Sequence, residues 1–131
     1  MIMYQQRVYT EDLRNNESVY YLFADNDART GYGSFRSYPN FVGIRIKKDD
    51  FTEDDSFWSD TTYEDNVSKI KADVKDIQNN ILKLGRTLVY TDQLFVSDIQ
   101  QYRQKSPRTV AYIKLAVASI LNMRSEITWE P

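Results

Sequence analysis

The side chains best placed to do chemistry fall between residues 25 and 47. Asp25-Asn26-Asp27 puts two carboxylates and an amide at the end of an apolar run. Such a triplet can orient a sugar hydroxyl or activate a water, and the same residue types also build turns. Gly31-x-Gly33 follows, and bare backbone there can approach a phosphate closely, with successive N–H groups forming an anion nest. Arg29 and Arg36 flank the glycines and can pair with a phosphate or an acidic partner, or sit solvated. Arg45 and Lys47 alternate with Ile44 and Ile46, which puts the two cations on one polar strand face.

The 131 residues contain no His and no Cys. Ser-His-Asp and Cys-His catalysis is therefore excluded, as are zinc sites built from those residues. Acid–base work is left to carboxylates, Lys and Tyr, and any metal to oxygen ligands. The net charge is −2, which argues against a generic nucleic-acid binder. No apolar run approaches the roughly 20 residues of a membrane span, and the start of the chain has no signal-peptide pattern. The expectation is a cytoplasmic protein with no membrane contact and no cofactor.

One stretch has the opposite charge. Residues 49–60 hold six acids among twelve residues. The Asp/Gly spacing of an EF-hand is missing, so no metal is assigned. A solvated loop with Phe57 and Trp58 tucked inward is expected, its acids available to a basic partner.

Three strands and two long helices must position these groups. The predicted strands are Ser18–Ala24, Phe41–Lys47 and Arg86–Thr91, with a shorter one ending at Val8-Tyr9. Thr10 is a candidate cap for a short helix over Glu11–Asn15. Val67, Ile70, Val74, Ile77, Ile81 and Leu84 repeat at intervals of three and four, giving one helical stripe, capped by Ser59 or Asp60 and closed by Gly85. A helical turn is expected near Asp98–Arg103. Ser106-Pro107 starts a last helix running to about Arg124, and Trp129 lies in a tail suited to an edge strand. The tyrosines at 20, 21, 32, 38, 90, 102 and 112 invite a base-stacking reading, but most sit in strands or helices and read more simply as core. The order β-α-β-loop-β-α-β-α predicts a single α/β domain over 1–131, with a largely parallel or mixed central sheet and flanking helices. Ligands of such sheets bind at loops beyond the strand carboxyl ends, here 25–40, 48–59 and 92–105.

Several segments resemble a group of small bacterial and phage proteins of unassigned function. Those proteins carry a Phe-Gly-Asp-Asn strand end, a Gly-x-Gly-Gly-Gln-Ala loop and a Pro-Asn-Ala-x-Gly-Ile strand. This chain has Phe23-Ala24-Asp25-Asn26, Gly31-Tyr32-Gly33-Ser34, Pro39-Asn40-Phe41-Val42-Gly43-Ile44, Phe57-Trp58-Ser59-Asp60 and Ser106-Pro107. The group's two glycine loops are in turn similar to those of macro domains, which bind ADP-ribose. The resemblance implies a three-layer macro-like sandwich, with Asp25, Asn26, Arg29, Gly31, Gly33 and Arg36 as ligand-binding residues.

The departures from the pattern are informative. Ser34-Phe35-Arg36 replaces a Gly-Gln-Ala triplet, and the second loop, Asp92–Asp98, contains no glycine. Leu94, Phe95 and Val96 crowd a diphosphate there, while Asp92 and Asp98 repel it. With Tyr32 and Phe35 they form an apolar lip suited to a protein contact. The expectation is a non-catalytic binding protein, plausible as a phage-encoded counter-defence factor that binds a host protein in the host cytoplasm through these degenerate loops. The alternative is a small-ligand module for ADP-ribose or a related nucleotide, and hydrolysis with Asp25 or Asp27 as base is a third reading.

Overall fold

The computed structural model describes residues 1–91 and 98–122. The glycine-free loop with Leu94, Phe95 and Val96, and the tail with Trp129, lie outside the described residues. Eight regular elements follow in order: β1 (Ile2–Tyr4), α1 (Thr10–Asn15), β2 (Val19–Asn26), β3 (Phe41–Lys47), α2 (Tyr63–Ile77), β4 (Thr87–Tyr90), α3 (Ile99–Lys105) and α4 (Pro107–Leu121).

The four strands form one sheet in the order β1-β4-β2-β3, and every pairing is parallel. An all-parallel sheet thus replaces the mixed alternative. The connections dictate this, since each link between successive strands carries a crossover segment. Helix α1 joins β1 to β2, a 3₁₀ turn at Gly33–Ser37 joins β2 to β3, and α2 joins β3 to β4.

Two apolar clusters cover the two faces. Leu22, Ile44, Ile46 and Leu88 pack with α2, α3 and α4 in the larger one. Leu13 of α1, Tyr21 and Val89 form the smaller, joined by Phe23, Phe35 and Phe41. Sheet residues alternate between clusters because strand side chains alternate between faces. Asn40 ties the layers together, its amide donating to the carbonyls of Leu13, Asn16 and Val19 at 3.0–3.1 Å.

Local chemistry moved several boundaries. The first strand is Ile2–Tyr4, and Val8 packs into the smaller cluster instead. Thr10 is the first residue of α1, whose start is held by Asp12, which accepts the Tyr9 N–H at 2.8 Å. The α2 stripe is buried from Val67 to Ile81, but Leu84 is 59% exposed. A π turn at Gln78–Leu82 inserts the extra residue that breaks the three–four rhythm. Gly85, at φ +72°, then ends the helix in the left-handed region.

Phe57 and Trp58 are buried as expected. Asp60, a candidate cap for α2, caps α4 instead. Its carboxylate accepts the Arg108 and Thr109 N–H groups at 3.0 and 2.9 Å and the Thr109 hydroxyl at 2.7 Å. Ser106 turns its hydroxyl to the Trp58 carbonyl.

Candidate functional site

Asp25 lies at the carboxyl end of β2, 2% exposed. Its Oδ2 accepts from Arg29 at 2.6 Å, and its Oδ1 from Arg36 at 2.7 Å and the Asn26 N–H at 2.8 Å. Burial alone raises the pKa of such a group. The hydrogen bonds from Arg36, Arg29 and Asn26 outweigh it and hold the carboxyl below its ordinary value. A carboxylate with both oxygens bound and its pKa lowered is a poor proton acceptor. Asp25 thus has both carboxylate oxygens engaged by Arg29, Arg36 and the Asn26 N–H.

The geometry assigns Asp25 a second task. Arg36 also donates to the Gly31 and Thr30 carbonyls and lies 5.0 Å from the Phe41 ring centre. Asn26 exchanges hydrogen bonds with Thr30 across the same turn. Asp25, Asn26 and Arg36 together pin the loop 27–36, in which Arg29, Gly31, Tyr32 and Gly33 all have positive φ. Gly31 leaves only 2.9 Å between an added Cβ and the Asp50 Cβ, and Gly33 has open space around it.

The charges extend past the loop in a chain. Arg29 approaches Asp73 of α2 at 3.8 Å, and Asp73 binds Arg45 at 3.0 Å. Arg45 is 3.9 Å from Asp27, which binds Lys69 at 2.9 Å and accepts the Trp58 indole N–H at 2.9 Å. Arg45 and Lys47 do not share a solvent-facing edge. Arg45 is engaged by Asp73, and a register shift between Asp25 and Asn26 pairs Asn26 with Lys47.

A cleft lies beside that shift. Ala24, Asn26, Gly31, Tyr32, Lys47, Asp50 and Thr52 enclose about 290 Å³ at the carboxyl ends of β2 and β3. Two sequence-predicted ligand residues, Asn26 and Gly31, line it. Asp25, Arg29, Gly33 and Arg36 do not. Lys47, 6% exposed, donates to the Phe51 carbonyl at 2.6 Å. Burial lowers its pKa, opposed by the charges of Asp98, Asp49 and Asp50. The Tyr32 hydroxyl donates to the Ala24 carbonyl, and burial of that hydroxyl, with the Asp25 charge, pushes its pKa up to about 12.

Phe35 does not line the cleft: partly buried, its ring centre lies 5.3 Å from that of Phe23 against the smaller cluster. Lys47, read from the sequence only as one of two cations on a strand face, and Asp50 and Thr52, within the loop 48–59, are cleft residues that the sequence did not single out as ligand-binding. The regular Ile44-x-Ile46 alternation hides Lys47, because the register shift falls within β3 itself, where Ile46 is the residue left without a partner between Arg45 and Lys47.

The fold and cleft define a parallel-sheet α/β protein with an open polar cleft at its strand ends. Residues 3–116 match the Family of unknown function (DUF7831), and the chain belongs to that family. Neither the curated proteins nor the solved structures give a match. Among the described residues no helix is long and apolar enough to cross a membrane.

Proposed function

We propose that the protein acts by binding, and that the β2/β3 cleft holds a small hydroxyl-rich ligand of the nucleoside class. The carrying observation is the open cleft at the ends of two parallel strands. Their connections leave to opposite faces of the sheet, which is where α/β ligands sit. Its volume is at the small end of ligand sites. The Tyr32 ring offers a stacking face. Asp50 and Thr52 offer acceptors for hydroxyls, and Lys47 offers donors. Phosphates suit it poorly, because Asp49 and Asp50 lie near Lys47 and offset the attraction of its ammonium. The macro-like resemblance points to ADP-ribose, and the cleft favours its nucleoside part over its diphosphate.

Calorimetric titration with adenosine, ADP-ribose, NAD and a cyclic nucleotide tests this. Adenosine is expected to bind at least as well as ADP-ribose, with binding weakened in Thr52→Val. Absence of heat and of any thermal shift at millimolar ligand removes the reading.

One observation favours a protein partner as the second reading. Phe51 is 63% exposed beside the cleft, in a loop carrying Asp49, Asp50, Glu53, Asp54 and Asp55. An exposed aromatic ringed by acids suits a basic host-protein surface. Phe51→Ala then weakens partner capture and leaves adenosine binding unchanged.

A further inference from the structure

The sheet has two edges, and they differ. β1 offers three residues, whereas β3 offers seven. An open edge is a template for another strand unless something covers it. The direction of the β3 backbone groups can be fixed. The Asn40 carbonyl accepts from Tyr21 of β2, while the Arg45 N–H points the other way and is taken by the Asp73 carboxylate at 2.7 Å. Parallel pairing alternates these directions residue by residue. Gly43, two residues before Arg45, therefore turns its N–H and C=O outward, as Phe41 does its C=O.

Asp73 thus covers the carboxyl end of the edge, and among the described residues the amino-terminal half is open. A groove of about 260 Å³ runs along that half, between β3 and the end of α2. Val42, Ile77 and Ile81 give it an apolar floor, and Gly43 lies on its lip. The π turn contributes Asn80 at one end, beside Arg86. Arg86 donates only to the Tyr20 hydroxyl (2.9 Å) and the Asn80 carbonyl (3.1 Å), and it has no carboxylate partner among the described residues.

We propose that this groove takes an extended peptide from another protein, added beside β3 as a fifth strand, with an acidic side chain on Arg86. The outward groups of Phe41 and Gly43 supply the main-chain bonds, and the floor takes one apolar side chain of the added strand. Arg86, which has no carboxylate partner among the described residues, sets the preference for acid at that end, against the charges of Asp73 and Asp76 that also line the groove.

Amide-resolved NMR titration with two capped hexapeptides tests the proposal, one Thr-Val-Thr-Val-Thr-Glu and the other ending in Lys. The acidic peptide is expected to shift the Gly43, Asn80 and Arg86 amides and to bind about fivefold tighter than the lysine peptide, the scale of one exposed charge pair. Arg86→Glu should invert that order. Methylating alternate peptide nitrogens should abolish binding to the unaltered protein, an arm that does not depend on any variant folding. Equal affinities, shifts confined elsewhere or indifference to N-methylation overturn it. So does a concentration-dependent dimer through the same amides, which assigns the groove to a second copy.

Discussion

A carboxylate taken out of water must recover its lost solvation from the protein, and Asp25 does so through two guanidinium groups and a backbone N–H. The pH dependence follows with a definite sign. The folded-state pKa lies below the unfolded one, so the stabilisation is fully present above the unfolded value and is lost as pH falls through the folded value. Acid unfolding of Asp25→Asn should therefore be less steep over that window than that of the unaltered protein, as denaturant midpoints measured from neutral to acid pH will read. Gly43 makes the same seat possible, since a Cβ there would come within 2.6 Å of the Asp25 Cβ. Gly43→Ala is expected to cost about 1–3 kcal/mol of stability in urea unfolding, through overpacking. In the sequence Asp25 and Asn26 looked like ligand groups, because residue type shows what a side chain can do. What it is already doing depends on Arg36, which arrives through a turn of left-handed residues whose fold no local spacing announces.

Helix α4 is capped by Asp60, 47 positions before its first residue Pro107, and such a cap leaves no local trace. Ser106-Pro107 correctly marks where the helix starts, yet the orphan N–H groups are met by Asp60 from the acidic loop. Asp60→Ala should lower stability by about 0.5–2 kcal/mol, the cost of losing a cap, whereas Ser59→Ala should cost less because Ser59 serves only a 3₁₀ turn. Burial would raise the Asp60 pKa, but the Thr109 and Arg108 hydrogen bonds lower it below its ordinary value. The difference between Asp60→Ala and the unaltered protein should consequently shrink as pH falls through that lowered value, checked by the same denaturant series. Elements whose apolar rhythm is strong were legible: β3 was placed to the residue, and α2 was correct up to its π turn. The cap of α4, which Asp60 supplies from a distant loop, was not, and neither was the first strand, which lies at Ile2–Tyr4.

Charge over the whole molecule is nearly balanced, and its arrangement explains how a parallel sheet tolerates a seven-residue edge strand. Arg36, Asp25, Arg29, Asp73, Arg45, Asp27 and Lys69 run from the loop after β2, past the β3 edge, to the outside of α2. Net charge reveals none of this, because alternating signs cancel in the sum while pairing requires the tertiary fold. Asp73 is the member that joins the sheet to α2: it holds the Arg45 guanidinium and the Arg45 backbone N–H together. Removing it leaves a largely buried cation with only the more distant Asp27 at 3.9 Å and frees an edge N–H at the same time. Asp73→Ala is thus expected to lose about 2–3 kcal/mol, below the cost of breaking a fully buried pair because Arg45 retains some solvent contact. The freed edge should also promote association, read as a rise in light scattering with protein concentration. Asp73→Asn separates the two effects. Its amide oxygen still accepts the Arg45 N–H, so it should lose stability without gaining the tendency to associate. Equal association of both variants would mean that the bare edge is covered by something other than Asp73.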